Sequence, residues 1–445
     1  MKRIPLLILS FLIFLLSVMI PGNISAIPGQ KYDKILSYKP TLYHSDPLPF
    51  SENKILVRFK QGSNEARIQG IIQAASTRSL KRISALDLFV LELDPGTDVN
   101  WALTKFRHNP QVLYAEPNYR IRLAETPNDT LFNLQYSLYN TNTIPGSTPP
   151  EDRADIHAPE AWEETKGDQA VLIGILDTGV DLLHPDLNDK IIDSGRDYVN
   201  DDFDATDDHG HGTHAAGIAA AETNNAEGIA GVAWNCKILP VKVLDNTGVG
   251  EYDMLIQGII YAADQGVHVI NMSLGGDFPS QGLADALQYA YDKGIVCVAS
   301  TGNDGGGVLY PAAYDDTCLA VAATNANDER PDWSNFGPEV DVAAPGVNIW
   351  SCVPTWLLGS EYLPYQQKSG TSMSSPHVAG LAALIKSLKP WLSASDIMNI
   401  ICYSAEDINS DELPGKDQFL GYGRINMENA LVPIIITMLL REENI

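Results

Sequence analysis

Nothing in the cysteine pattern points to a metal or a disulfide framework. The 445 residues hold five cysteines, Cys236, Cys297, Cys318, Cys352 and Cys402, and none of their spacings is that of a metal-ligand set. Cys236, Cys297 and Cys318 stand in or beside apolar runs, where a free thiol behaves as a small hydrophobe. Buried thiols are expected, and the odd count leaves at least one unpaired within a monomer. Basic charge is also scarce: 30 Lys and Arg face 56 Asp and Glu, a net charge of -26. That balance disfavours nucleic acid and anionic membranes as partners and favours cations, calcium included. Long apolar runs are missing too. Leu6 to Ile20 follows Lys2 and Arg3 and breaks at Pro21-Gly22, with small Ser25-Ala26 beyond; it falls short of the roughly 20 residues that span a bilayer. It reads as a signal peptide over residues 1–26, which implies a secreted, extracellular protein without stable membrane association afterwards. The apolar core of the C-terminal tail 432–445, Val432 to Leu440, is shorter still.

Polar, proline-bearing residues 27–51 read as a linker. Residues 52–123 carry a strand pattern at Lys54–Lys60, helical patterns at Asn64–Ser76 and Val99–His108, and further strands at Leu86–Leu93 and Val112–Leu123. Helices on one antiparallel sheet give a small α+β unit. From about residue 168 short apolar β runs (Ala170–Leu176, Lys237–Leu244, Val267–Ser273, Gly294–Ala299, Cys318–Thr324, Val340–Ala343) alternate with Ala/Gly-rich helical stretches (Thr213–Ala221, Tyr252–Gln265, Leu283–Lys293, Ser374–Leu388). Strands apolar on both faces with helices between them predict an α/β domain, a doubly wound parallel sheet with helices on both faces, over residues 124–431. Ligands of such sheets sit at the carboxyl ends of the strands. Charge splits at the same boundary. Residues 27–123 carry net +5, with 14 basic and 9 acidic residues; residues 124–445 carry net -33, with 14 basic and 47 acidic.

Three motifs carry chemistry. Asp177-Thr178-Gly179-Val180 follows a buried strand directly, which puts a carboxylate at its carboxyl end. His211-Gly212-Thr213-His214-Ala215-Ala216-Gly217 opens a helix; His211 precedes it and can reach outward as a base, while His214 is expected to pack beneath and His209 to be a solvated loop residue. Gly370-Thr371-Ser372-Met373-Ser374-Ser375-Pro376-His377 places Ser372 at a helix N-terminus, where free N–H groups favour developing negative charge; Pro376 is expected in the first turn. Serine is a weak nucleophile until a base takes its proton, and an imidazole held by a carboxylate is such a base. The Gly-x-Ser-x-Gly elbow of esterases and lipases is absent.

In order and context, these motifs resemble the subtilase family of serine endopeptidases, within it the thermitase-like, calcium-binding branch, over roughly residues 124–431 with a family-like pro-region before it. The resemblance implies a triad of Asp177, His211 and Ser372, with the Asn303 side chain and the Ser372 amide as oxyanion donors. It implies extended protein or peptide substrates lying between two edge segments, Gly248-Val249-Gly250 and Ser273-Leu274-Gly275. Pocket walls at 273–275 and 299–302 imply broad specificity favouring large apolar residues before the scissile bond, with Asp304 at the rim.

Calcium is the implied cofactor. The family's tight site maps onto the side chains of Asp129, Asp186 and Asn225 and the carbonyls of Glu222, Glu227 and Ile229, all hard oxygen donors. Asp197, Asn200, Asp202, Asp204, Thr206 and Asp207, dense in carboxylates, suit a second ion. Residues 52–123 resemble an inhibitory, folding-assisting pro-region whose last strand lies in the cleft, with self-cleavage within Arg122–Thr126. A monomer is expected, inhibited in the precursor by its own pro-region.

Overall fold

A computed structural model describes residues 50–60, 62, 64–119, 126–140, 153–357 and 363–431. The expected signal segment, most of the linker, Arg120, the cleavage window short of Thr126, and the tail 432–445 lie outside the described residues.

The first unit runs β1 (Phe50–Phe59), α1 (Glu65–Ala74), β2 (Thr77–Ile83), β3 (Leu88–Leu93), α2 (Val99–Arg107) and β4 (Val112–Tyr119). Its strands form an antiparallel sheet in the order β2-β3-β1-β4. Both helices start on a capping side chain: Asn64 accepts from the Ala66 amide and Asp98 from the Trp101 amide, each at 2.8 Å. Ile55, Phe59, Ile72, Phe89 and Phe106 close a separate core. Two expectations need correction. β1 begins at Phe50, whose ring is buried in this core, so the linker ends before it and not at residue 51. β2 is an additional strand; of its residues only Thr77 is buried, and an edge strand exposed on both faces shows no alternation to read.

The second unit runs α3 (Ala158–Trp162), β5 (Leu172–Asp177), β6 (Arg196–Asp197), α4 (Gly212–Ala220), β7 (Lys237–Lys242), α5 (Tyr252–Asp264), β8 (Val269–Met272), α6 (Gln281–Asp292), β9 (Val296–Ser300), β10 (Cys318–Thr324), β11 (Val342–Pro345), β12 (Ile349–Cys352), β13 (Tyr365–Lys368), α7 (Thr371–Leu388), α8 (Ala394–Ser404) and α9 (Met427–Leu431). Seven strands make one parallel sheet, ordered β11-β10-β9-β8-β5-β7-β6. Alternate residues of each strand feed two cores. On β9, Val296 and Val298 join the cluster that holds α4, α7 and α8, while Cys297 and Ala299 join the one that holds α5 and α6. This is the doubly wound arrangement expected. The chain leaves β5 toward β7 on one side and β8 on the other, so the switch point lies between β5 and β8. All five cysteines are buried, and none is in a disulfide.

Candidate active site

Asp177 ends β5 at that switch point and is fully buried. His211 stands immediately before α4, its Nδ1 2.7 Å from Asp177 Oδ1. This approach depends on Gly212: a Cβ there would lie 2.1 Å from the Gly179 carbonyl and 2.9 Å from Asp177 Cβ. Burial presses the His211 imidazole down, but the charge and hydrogen bond of Asp177 outweigh it, and its pKa is raised. His214, one turn on, is buried and held neutral, its pKa well below the ordinary value because of that burial; its Nε2 lies 3.0 Å from the Gln366 carbonyl. It is structural, as expected. His209 is more than a solvated loop residue, since its ring also lines the cleft.

Ser372 is the second residue of α7, so its amide has no intrahelical acceptor. Its hydroxyl donates to the Ser273 carbonyl at 3.1 Å. Asn303, in the loop after β9, accepts through Oδ1 from the Thr371 amide (2.8 Å) and hydroxyl (3.0 Å). A Cβ on Gly370 would lie 3.5 Å from Asn303 Nδ2 and 3.7 Å from the Ser372 amide nitrogen, so both donors flank that glycine. Pro376 sits in the second turn of α7, one turn later than expected. Having no N–H, it leaves the Ser372 carbonyl without its helical donor. The Ser273 hydroxyl fills that place at 2.8 Å.

Gly248, Val249, Gly250, Ser273, Leu274 and Gly275 meet on a single cleft of about 480 Å³ that His211 and His209 also line. Gly250 is fixed by internal packing as well, since a Cβ there would lie 2.2 Å from the Val243 carbonyl.

Two groups near His211 escaped the sequence reading. Asp207, grouped there with the acidic loop, accepts five hydrogen bonds of 2.6–3.0 Å, from the Thr178 hydroxyl, the His209 and Gly210 amides, and the Thr213 amide and hydroxyl. Its Oδ1 accepts three of these bonds and its Oδ2 two, which leaves no lone pair for a cation, so Asp207 belongs to the turn that carries His211. Its position four residues before His211, in an Asp-Asp-His-Gly turn, was the available signal. Lys368, at the end of β13, donates to the Gly210 carbonyl at 2.5 Å; burial lowers its pKa, against the pull of Asp207 and Asp177.

The candidate cation sites differ. Asp129 and Asp186 are buried, and no cationic side chain pairs with either among the described residues. Desolvation raises both pKa values, that of Asp186 to about 6. Asp186 accepts from Asn225 Nδ2 at 2.7 Å and from the Ile229 amide at 2.9 Å; Asp129 accepts from the Asn224 amide; and the Glu222 amide donates to the Asp186 carbonyl. Among the described residues no three His, Cys, Asp or Glu side chains cluster as metal ligands. The donor set here is instead two carboxylates with amide and main-chain oxygens. Two buried carboxylates without a counter-charge fit a hard cation. In the other loop Asp197 faces Asp202 across an antiparallel bridge. Asp197 accepts from Asn200 Nδ2, Asp202 from the Asp204 amide, and Asp204 from the Thr206 amide and hydroxyl. Arg196 already reaches the Asp201 carboxylate and the Asp202 carbonyl.

Residues 168–423 match the model of the subtilase family, and residues 43–118 match that of the fervidolysin N-terminal prodomain. A thermophilic serine proteinase of Bacillus sp. (strain AK1) is 40% identical over 386 residues, which cover 86% of this chain and 88% of that protein. Thermitase of Thermoactinomyces vulgaris is 45% identical over 276 residues, 62% of this chain and 93% of the relative. A solved protease structure from Pseudoalteromonas arctica is 33% identical, with a TM-score of 0.59, and the match covers 69% of this chain and 99% of that one.

Proposed function

The chain belongs to the subtilase family, a subtilisin-like serine endopeptidase with a prodomain, and on that premise we propose that it is a secreted, calcium-stabilised enzyme that cleaves proteins through Asp177, His211 and Ser372. The observation that carries this is the 2.7 Å bond from the His211 imidazole to a fully buried Asp177 at the end of β5, the neighbour of β8, after which Ser273 bonds Ser372 of α7. The Ser372 hydroxyl leaves the Ser273 carbonyl, gives its proton to His211 Nε2 and attacks the scissile carbonyl carbon. Asp177 holds the tautomer and stabilises the imidazolium. Asn303 Nδ2 and the Ser372 amide receive the oxyanion. His211 returns the proton to the departing amine, and water then hydrolyses the acyl-enzyme by the reverse roles. This is the course established for subtilisin itself. The test is a serine-directed phosphonate on the purified enzyme: loss of casein hydrolysis with mass added at Ser372 supports the reading, and labelling elsewhere overturns it.

Asp129, Asp186, Asn225 and the carbonyls of Glu222, Glu227 and Ile229 would hold a first calcium ion, which supplies charge compensation and not a catalytic step. The Asn225 amide must turn so that its oxygen faces the ion. Asp197, Asn200, Asp202, Asp204 and Thr206, without Asp207, would hold a second. Residues up to Leu123 act as an intramolecular inhibitor until cleavage within Arg122–Thr126. No helix among the described residues is long and apolar enough to cross a membrane; the N-terminal signal pattern supports secretion.

A further inference from the structure

We propose that the Tyr365 hydroxyl is a further member of the first calcium site, an outer donor that orients the Asp186 carboxylate toward the ion. The inference rests on the calcium site proposed above and adds to it a residue from a separate part of the chain.

Asp186 accepts from Asn225 Nδ2 through Oδ1 at 2.7 Å and from the Ile229 amide through Oδ2 at 2.9 Å. When Asn225 turns its oxygen toward a cation, Asp186 loses the first of these donors. A carboxylate that ligates a metal is itself held by outer hydrogen-bond donors. Tyr365, the first residue of β13, stands where such a donor is needed. It is 5% exposed, and its hydroxyl oxygen is buried without a hydrogen-bond partner, which costs stability until an acceptor engages it. The hydroxyl faces Asp186: a Cβ on Gly228 would overlap both Asp186 Oδ2 and the Tyr365 oxygen, so the two oxygens flank one point that a glycine leaves open. It is close enough to favour the ionised carboxyl. The ring is held in that direction. β13 pairs Tyr365 with Cys352 of β12. His184 meets the ring edge-on at 5.3 Å between centroids; its Nε2 donates to the Pro364 carbonyl at 3.0 Å and its Nδ1 accepts from the Asp186 amide at 3.1 Å. One histidine thus fixes both the carboxylate segment and the strand that brings the phenol to it. With calcium bound, the Ile229 amide and the Tyr365 hydroxyl share Oδ2 and leave Oδ1 to the ion.

The experiment compares wild type, Y365F, D186N and the double variant, each as mature enzyme with its serine blocked by a phosphonofluoridate against autolysis. Calcium affinity is read by titration calorimetry, and melting is followed in calcium and in chelator. Y365F should bind the calcium ion that D186N loses about tenfold more weakly than wild type, the lower end of the range for a lost outer partner of a metal ligand. In chelator Y365F should melt at or above wild type, because phenylalanine removes a buried, unpaired hydroxyl; in calcium it should melt below. In the D186N background the same change should leave calcium dependence untouched. Equal affinities overturn the role of Tyr365. So does a Y365F protein that melts lower by the same amount in both conditions, or one that does not fold, since either makes the phenol a general packing element. A wild type without the binding step that D186N removes lacks the site itself, and the inference falls with it; intact binding with an indifferent Y365F contradicts Tyr365 alone.

Discussion

The hydroxyl of Ser273 donates to the carbonyl of Ser372 at 2.8 Å, the acceptor that Pro376 cannot serve. Ser273 also receives the Ser372 hydroxyl on its own carbonyl and lies 2.9 Å from the Ser375 hydroxyl. A residue at the end of β8 thus fixes the first two turns of the nucleophile helix. Ser273→Ala should cost about 1–2 kcal/mol of stability, because a buried carbonyl loses its donor. Pro376→Ala restores an N–H in the helical position, so the serine should matter less in that background. Denaturant unfolding of both single variants and the double one measures this; strictly additive losses would contradict the substitution of one donor for the other.

Activity should follow deprotonation of His211. Its pKa lies above the ordinary 6.5: burial opposes the charge, but Asp177 outweighs it. Only the neutral imidazole accepts a proton, so kcat/KM falls as pH drops through that value. Lys368 disfavours the imidazolium and Asp207 favours it. Lys368→Met should move the acid limb to higher pH, because a cation that disfavours the imidazolium is removed, and Lys368→Arg should leave it in place. Asp177→Asn should move the limb down and lower kcat by about 10⁴. Profiles read against each variant's own plateau decide the matter, and an acid limb indifferent to Lys368→Met would remove that lysine from the electrostatics of the site.

Ser372→Ala should lower kcat by about 10⁶, the value known for subtilisin and not a consequence drawn from these distances. Near-native turnover in a pure sample would refute the triad.

Much of this site was legible in the sequence because parallel strands buried on both faces announce themselves as short apolar runs. Cys318–Thr324 has the same bounds in both readings, and Asp177 falls at a strand end in each. The roles of Asp207 and Lys368 were not legible, since each depends on contacts between separate segments of the chain. Asp207 bonds to Thr178 and Thr213, and Lys368 to Gly210. β12 and β13 escaped for another reason: each is four residues long, and Tyr365–Lys368 is mostly polar, so neither offers a hydrophobic period.

Calcium should stabilise the fold in a pH-dependent way. The Asp186 carboxyl is pushed up to about 6 by burial, from an ordinary 3.8. A carboxyl raised in the folded state binds more protons folded than unfolded. The metal-free protein therefore gains stability from it below pH 3.8 and loses that gain as pH rises through about 6. The ion needs the carboxylate, so its stabilisation grows over the same window, to about 2.7 kcal/mol at a hundred times its Kd. Melting with calcium and with chelator should differ more at pH 7 than at pH 5, and Asp186→Asn should abolish the difference. Asp207→Asn should keep the calcium increment while impairing turnover. No increment at either pH, with metal removal verified, would exclude a stabilising ion.

The charge division between the two units makes a kinetic claim. Residues 27–123 carry net +5 and residues 124–445 net -33. Opposite fields speed encounter by up to a few orders of magnitude at low salt, and the gain is lost as ions screen it over about 10 Å at 0.1 M. A basic pro-region should therefore find the acidic enzyme quickly and be held by short-range contacts once docked. The pro-region supplied in trans must start before Phe50, whose ring is part of its core; residues 27–123 satisfy that. Stopped-flow inhibition of the mature enzyme from 10 mM to 1 M salt (roughly 30 Å to 3 Å of screening length) should show the association rate falling at least about tenfold. The dissociation rate should change far less, because contacts inside a closed interface are poorly screened. An association rate independent of salt would refute steering. Salt acting chiefly on dissociation would place the charges within the docked interface instead, and no inhibition at any salt would remove the inhibitory role of the pro-region.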